Sequence, residues 1–254
     1  MRVALLQAAL IWEDAKANRS YFQEKIALLD GKADLVILPE MFTTGFTMNP
    51  TPVAEPMTGE TVAWMQSIAE KNKTAVCGSL VIIADNQFYN RFLFVFPTGE
   101  IRHYDKRHLF TLSGEREAYT AGKEKIIIEY RGFRICPMIC YDLRFGVFSR
   151  NVEDFDLLIY AANWPKPRIN AWDILLKARA IENMCFVAGV NRIGKDFNQY
   201  EYSGHSQLVD YLGEYIIEPM KNEGQQTAFL NKEKMLETRA KLGFLNDRDT
   251  FTVN

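Results

Sequence analysis

Short apolar runs alternate with longer segments of helical spacing along almost the whole chain. Val3-Ala4-Leu5-Leu6 and Leu35-Val36-Ile37-Leu38 are continuous apolar runs of strand length. Between them, residues 15–29 carry Tyr21, Phe22, Ile26 and Leu29 at the spacing of one helix face. Residues 61–71 predict a second helix, with Thr58 or Glu60 near its start, and residues 74–83 a strand closed by Asp85-Asn86. Residues 90–96 follow and turn at Pro97-Thr98-Gly99, so the stretch 74–104 reads as consecutive strands.

Residues 105–125 are polar, contain Gly114 and Gly122, and follow neither period, which predicts a long connection of the kind that often carries function. Residues 125–130 and 133–139 predict two strands around Arg131-Gly132, and residues 157–162 another. Residues 171–183 read as an amphipathic helix with Ile174, Leu175, Ala178 and Ile181 on its buried side, and residues 185–190 as a buried strand. A late hairpin spans residues 207–217 and a helix residues 232–242. No low-complexity linker interrupts the pattern, so residues 1–254 are expected to form a single α/β domain with sheets covered by helices.

Composition adds mainly exclusions. With 48% apolar and 24% charged residues, the chain is neither collagen-like nor disordered in composition. Thirty basic residues face 32 acidic ones without a block of like charge, so no nucleic-acid or anionic-lipid partner is expected. No run approaches the ~18 apolar residues of a membrane span. The first apolar stretch runs into Glu13 and Asp14 without a cleavage site, so it does not read as a signal peptide. Cys77, Cys136, Cys140 and Cys185 lack CxxC spacing and read as free thiols, which points to the cytoplasm. P-loop, GxGxxG, HExxH and Cys/His metal spacings are missing, so neither cofactor nor metal is expected.

Three residues occupy positions suited to chemistry. Cys140 follows the apolar segment 133–139, and a side chain at the abrupt end of a buried strand is held rigidly with its tip toward a cleft. Glu40 ends the run Leu35 to Pro39 in the same manner, the partly desolvated setting of a general base. Lys106 opens the long connection, and a lysine beside a thiol favours the thiolate and offers charge to an oxyanion. Taken singly, each has an ordinary reading: a core cysteine, a surface glutamate and a solvated loop lysine.

Taken together, Glu40 in Leu-Pro-Glu-Met-Phe, Lys106 in Asp-Lys-Arg-His-Leu-Phe and Cys140 in Ile-Cys-Tyr-Asp-Leu-Arg-Phe resemble the Glu-Lys-Cys triad of the nitrilase superfamily of carbon–nitrogen hydrolases. The resemblance extends from residues 3–7 through Asn163-Trp164-Pro165 to the segment 178–183, and is nearest to the bacterial omega-amidase branch. It implies a four-layer αββα sandwich, paired through a helical face into a homodimer or a higher homo-oligomer. It also implies hydrolysis of the terminal amide of 2-oxo acid amides such as 2-oxoglutaramate and 2-oxosuccinamate through a Cys140 thioester.

By the same resemblance Lys106 and the Tyr141 backbone N–H are the oxyanion donors, and Glu115 is a second glutamate beside the triad, with Glu117 its rival in alignment. Arg144 and Arg168 compete for the substrate carboxylate, while Phe42, Asn163 and Trp164 are expected to line the substrate pocket. Arg179 and Glu182, three apart on a predicted helix, are expected to be structural. Two further readings stay open: an amidohydrolase with the same triad acting on another small aliphatic amide or an N-carbamoyl amino acid, and a catalytically silent binding subunit.

Overall fold

The computed structural model describes residues 1–253. In chain order the strands are β1 (Arg2–Gln7), β2 (Leu35–Ile37), β3 (Ala75–Ala84), β4 (Gln87–Val95), β5 (Ile101–Asp105), β6 (Ile128–Tyr130), β7 (Phe133–Ile139), β8 (Leu157–Ala162), β9 (Phe186–Asn191), β10 (Ile193–Lys195), β11 (Glu201–Ser203), β12 (Gln207–Val209), β13 (Tyr215–Ile217) and β14 (Gly224–Phe229). The helices are α1 (Ala15–Ala27), α2 (Glu60–Asn72), α3 (Glu115–Ala118), α4 (Ile169–Asn183) and α5 (Lys232–Leu242).

Two six-stranded sheets lie face to face, ordered β14-β1-β2-β3-β4-β5 and β13-β12-β9-β8-β7-β6. Strand alternation explains the layering. In the first sheet Val3, Leu5, Leu35, Ile37, Phe92 and Phe94 share a core with the second sheet. Their neighbours Ala4, Leu6, Val36, Leu38, Leu93 and Val95 pack instead with Phe22 and Ile26 of α1 and with Val62, Met65 and Ile68 of α2. On the far side, Trp172, Leu176 and Ala180 of α4 and Met235 of α5 belong to the core that includes the second sheet. The order is therefore helices, sheet, sheet, helices, the expected αββα sandwich.

Two expectations need correction. Helix α4 buries Trp172, Leu176, Arg179, Ala180 and Asn183, whereas Ile174 and Ile181 are more than half exposed. The helix is apolar on two sides: of the residues read from the sequence as its apolar side, Leu175 is partly buried against the core, while Ile174 and Ile181 lie on the side that the sheet does not cover. Strand β14 was also not expected, because Gly224–Phe229 is polar and half-exposed, yet it pairs antiparallel with all of β1. An edge strand with one solvated face gives little apolar signal.

The long connection after β5 contains a 3₁₀ turn at Thr111–Ser113 and the single-turn helix α3, too short to show a period. It is fixed against the strand end at Gly122, whose N–H donates to the Lys106 carbonyl at 2.9 Å. A Cβ at Gly122 would lie 2.0 Å from the Asp105 carbonyl oxygen, so this close approach admits only glycine.

Candidate active site

Strands β2, β7 and β8 belong to parallel pairings, and β5 runs parallel to β3 through the antiparallel β4. The residues that follow β2, β5, β7 and β8 thus come together at one end of the sandwich. They are Glu40, Lys106, Cys140 and Asn163.

Lys106 lies between two carboxylates. Its Nζ is 2.8 Å from Glu40 Oε1 and 2.9 Å from both oxygens of Glu115, and all three side chains are fully buried. Burial alone pushes the Lys106 ammonium toward neutrality, but Glu115 and Glu40 outweigh it and raise its pKa. Burial raises Glu115, with Lys106 opposing and Glu40 adding to the rise. Glu115 also accepts the Phe110 backbone N–H at 2.6 Å. Glu117 is exposed, which settles the choice between the two glutamates in favour of Glu115 as the one beside Lys106.

Cys140 directly follows β7 in a left-handed conformation, φ 43°, and begins the 3₁₀ turn Cys140–Arg144. Such a φ in a non-glycine residue is strained and turns the thiol out of the strand line toward the cleft. Burial first, and then the Glu40 carboxylate, raise the thiol pKa well above its ordinary value, with Lys106 opposing. The resting group is therefore a thiol that needs a base. The turn is anchored by Asp142, a buried carboxylate that accepts from Tyr104 Oη at 2.7 Å, Ile139 N at 2.9 Å and His108 N at 3.0 Å. Arg179, paired with Glu182 at 3.0 Å as expected, donates to the Leu143 carbonyl at 2.7 Å and holds the turn from the other side.

Above these groups opens a cavity of about 510 Å³ lined by Lys106, Cys140, Tyr141, Asn163, Arg144 and Arg168 among others. Trp164 lines it too, with the Arg144 guanidinium 5.0 Å from its ring, while Arg168 lies 5.2 Å from the ring of Phe110. Both arginines are exposed, and among the described residues neither has a carboxylate partner, since Asp142 is taken by His108 and Glu182 by Arg179.

Phe42 is not part of this wall. It is fully buried in the core beneath α1 and α2, edge-on to Phe22 at 5.5 Å and tilted against Trp64 at 6.0 Å. Met41 has φ 44°, so the chain turns sharply after Glu40 and the aromatic that reaches the cavity is Phe46, whose ring lies 5.1 Å from Lys106 Nζ. The hairpin β10–β11 was not foreseen either, yet it supplies Asp196, Asn198, Tyr200 and Tyr202 to the cavity. Asn90 and Ser79, buried polar residues within the apolar strands β4 and β3, were also missed, although a polar residue in such a run is itself a signal.

The carbon–nitrogen hydrolase family model matches residues 2–240. The chain belongs to the carbon–nitrogen hydrolase family. Among relatives of this hydrolase, an omega-amidase from Yersinia enterocolitica is 44% identical, with 100% of this chain and 98% of that protein covered. A 2-oxoglutaramate amidase from Bacillus subtilis is 33% identical with 85% of each chain covered. Among solved structures, a CN-hydrolase superfamily protein from Xanthomonas campestris with an arsenic adduct in its active site is 43% identical, with a TM-score of 0.98 over 100% of this chain and 99% of that one. The resemblance seen in the three motifs is thereby borne out, as is the sandwich architecture.

Proposed function

We propose that this carbon–nitrogen hydrolase is an omega-amidase that releases ammonia from the terminal amide of 2-oxoglutaramate or 2-oxosuccinamate. The observation that carries the reading is the buried Glu40–Lys106–Glu115 cluster beside a strained cysteine in a cavity rimmed by two arginines that have no carboxylate partner among the described residues. The names of its relatives favour this substrate class over other amides.

In this reading Glu40 takes the Cys140 proton, and the thiolate attacks the amide carbon. Lys106 and the Tyr141 N–H stabilise the oxyanion, a contribution of about 3–4 kcal/mol for one well-placed donor. Lys106 has three protons; with one on Glu40 and one shared by the two Glu115 oxygens, the third is left for the oxyanion. Glu40 then passes its proton to the departing nitrogen as the C–N bond breaks, ammonia leaves and a Cys140 thioester remains. Water, deprotonated by Glu40, cleaves the thioester and restores the thiol.

Asn163 orients the reacting amide. Its Nδ2 donates to the Glu40 carbonyl at 2.6 Å, which turns its Oδ1 elsewhere, and that buried oxygen has no protein partner among the described residues. We assign it to an N–H of the substrate amide, since a buried acceptor left unpaired is costly. Arg144 or Arg168 takes the substrate carboxylate, with Trp164 and Phe46 as apolar walls.

Residues 1–254 act as one catalytic domain, because both sheets contribute to the site. We place it in the cytoplasm, where free thiols such as its four cysteines persist. Its partner is a second copy. Ile174 and Ile181 of α4 are exposed, and Ile181 abuts Gly213 in a turn beside exposed Leu212 and Ile216, so an apolar face runs along this side. Light scattering that finds wild type dimeric and Ile181→Glu monomeric supports the pairing; a monomeric wild type contradicts it.

A panel of amides tests the substrate. Ammonia release should be fastest with 2-oxo acid amides and slowed, through a KM about tenfold higher or more, by lysine at the carboxylate-binding arginine. Faster turnover of an N-carbamoyl amino acid, with carbon dioxide released beside ammonia, would favour the alternative substrate class.

A further inference from the structure

Asn90 touches neither cavity nor thiol, yet it connects both carboxylates of the cluster. Its Nδ2 is 2.8 Å from Glu40 Oε1 and 3.3 Å from Glu115 Oε1, its Oδ1 is 2.8 Å from Ser79 Oγ, and its backbone carbonyl accepts the Lys106 N–H at 3.0 Å. Ser79 Oγ in turn accepts the backbone N–H of Met41 at 2.9 Å. Both Asn90 and Ser79 are fully buried.

The direction of every hydrogen in this chain is determined. Met41 N–H can only donate, so the single Ser79 proton is free to go to Asn90 Oδ1. With its oxygen engaged, the Asn90 amide must direct both N–H protons at the carboxylates. A flipped amide would instead set its oxygen against two carboxylate oxygens.

This polarity makes the two oxygens of Glu40 unequal. Oε1 accepts from both Lys106 and Asn90, which occupies its two in-plane lone pairs. Oε2 accepts the Asn163 backbone N–H at 2.8 Å, while the Asn163 Nδ2 is a distant 3.5 Å away. One lone pair is left, and it is on Oε2.

We propose that Asn90, oriented by Ser79, is a positioning residue that holds Glu40 so that Oε2 is the oxygen that carries the proton. The S–H bond of Cys140 breaks as Oε2–H forms, and Oε2–H breaks as the proton joins the leaving nitrogen. The inference rests on Glu40 being the general base.

The test compares wild type with Asn90→Leu, Ser79→Ala and Glu40→Gln in steady-state hydrolysis of 2-oxoglutaramate across pH. A donor to an ionised carboxylate lowers its pKa, so losing one moves the acid limb of kcat/KM to higher pH. Asn90→Leu is expected to lower kcat about tenfold or more, with KM near the wild-type value and the acid limb shifted upward. Ser79→Ala should shift the limb in the same direction by less, and it decides the matter alone if Asn90→Leu does not fold. An unmoved acid limb and unchanged kcat in the folded variants, with Glu40→Gln inactive, would overturn this inference and leave the reading of the base intact. Wild-type turnover by Glu40→Gln would overturn both.

Discussion

Lys106 Nζ is held by both oxygens of Glu115 at 2.9 Å, in a buried cluster that also contains Glu40. One cation between two carboxylates leaves the cluster with a formal charge of −1 when both are ionised. A buried charge of that kind is expensive, and it shows in the raised pKa values of both Lys106 and Glu115.

The sign of the pH effect follows. A carboxyl with a raised folded pKa contributes stability that is complete below its unfolded value of about 4.3 and is lost as pH rises through the folded value. Lys106, raised as well, contributes fully below about 10.4 and loses its contribution only in strong alkali. Wild type is therefore expected to lose stability as pH rises above the ordinary glutamate range. Glu115→Gln should flatten that slope, as measured by urea unfolding at several pH values. An unaltered slope would show that Glu115 is not the group being titrated.

The thiol makes a second prediction. Burial and the Glu40 charge raise the Cys140 pKa, and Lys106 works against them. Thiolate absorbance, taken as the difference between each protein and the same protein carrying Cys140→Ser, should titrate above the free-cysteine value of about 8.5. Glu40→Gln, which removes a negative neighbour, should bring it down. A resting thiolate at neutral pH would mean that Glu40 is not needed to deprotonate it.

Phe42 and Phe46, four residues apart, should separate stability from substrate binding. Phe42→Ala deletes a ring packed on Phe22 and Trp64 and is expected to cost about 3–5 kcal/mol, with KM unchanged in whatever protein stays folded. Phe46→Ala, at the half-exposed cavity wall, should raise KM with a much smaller loss in thermal unfolding. The reverse pattern would contradict the placement of both rings.

How much of this was legible beforehand depends on distance along the chain. Continuous apolar runs marked β1, β2, β7 and β8, because buried strands need apolar residues on both faces. The strand ends then marked Glu40, Lys106 and Cys140, whose motifs supplied the resemblance. Side-chain direction was another matter: after Glu40 the left-handed Met41 turns Phe42 into the core, and nothing in Leu-Pro-Glu-Met-Phe reports that φ. The covered face of α4 was misread for a similar reason, since a helix apolar on two sides leaves periodicity undecided. Asn90 and Asp142 owe their roles to partners as far as 50 and 38 residues away, which only the folded chain brings together.

The central claim is that Cys140 forms the acyl-enzyme through which a 2-oxo acid amide is hydrolysed. The most direct measurement is steady-state ammonia release from 2-oxoglutaramate by folded wild-type and Cys140→Ala proteins at equal concentration. Sustained release by wild type with only background release by Cys140→Ala is the predicted result, and near-wild-type release by Cys140→Ala would contradict it.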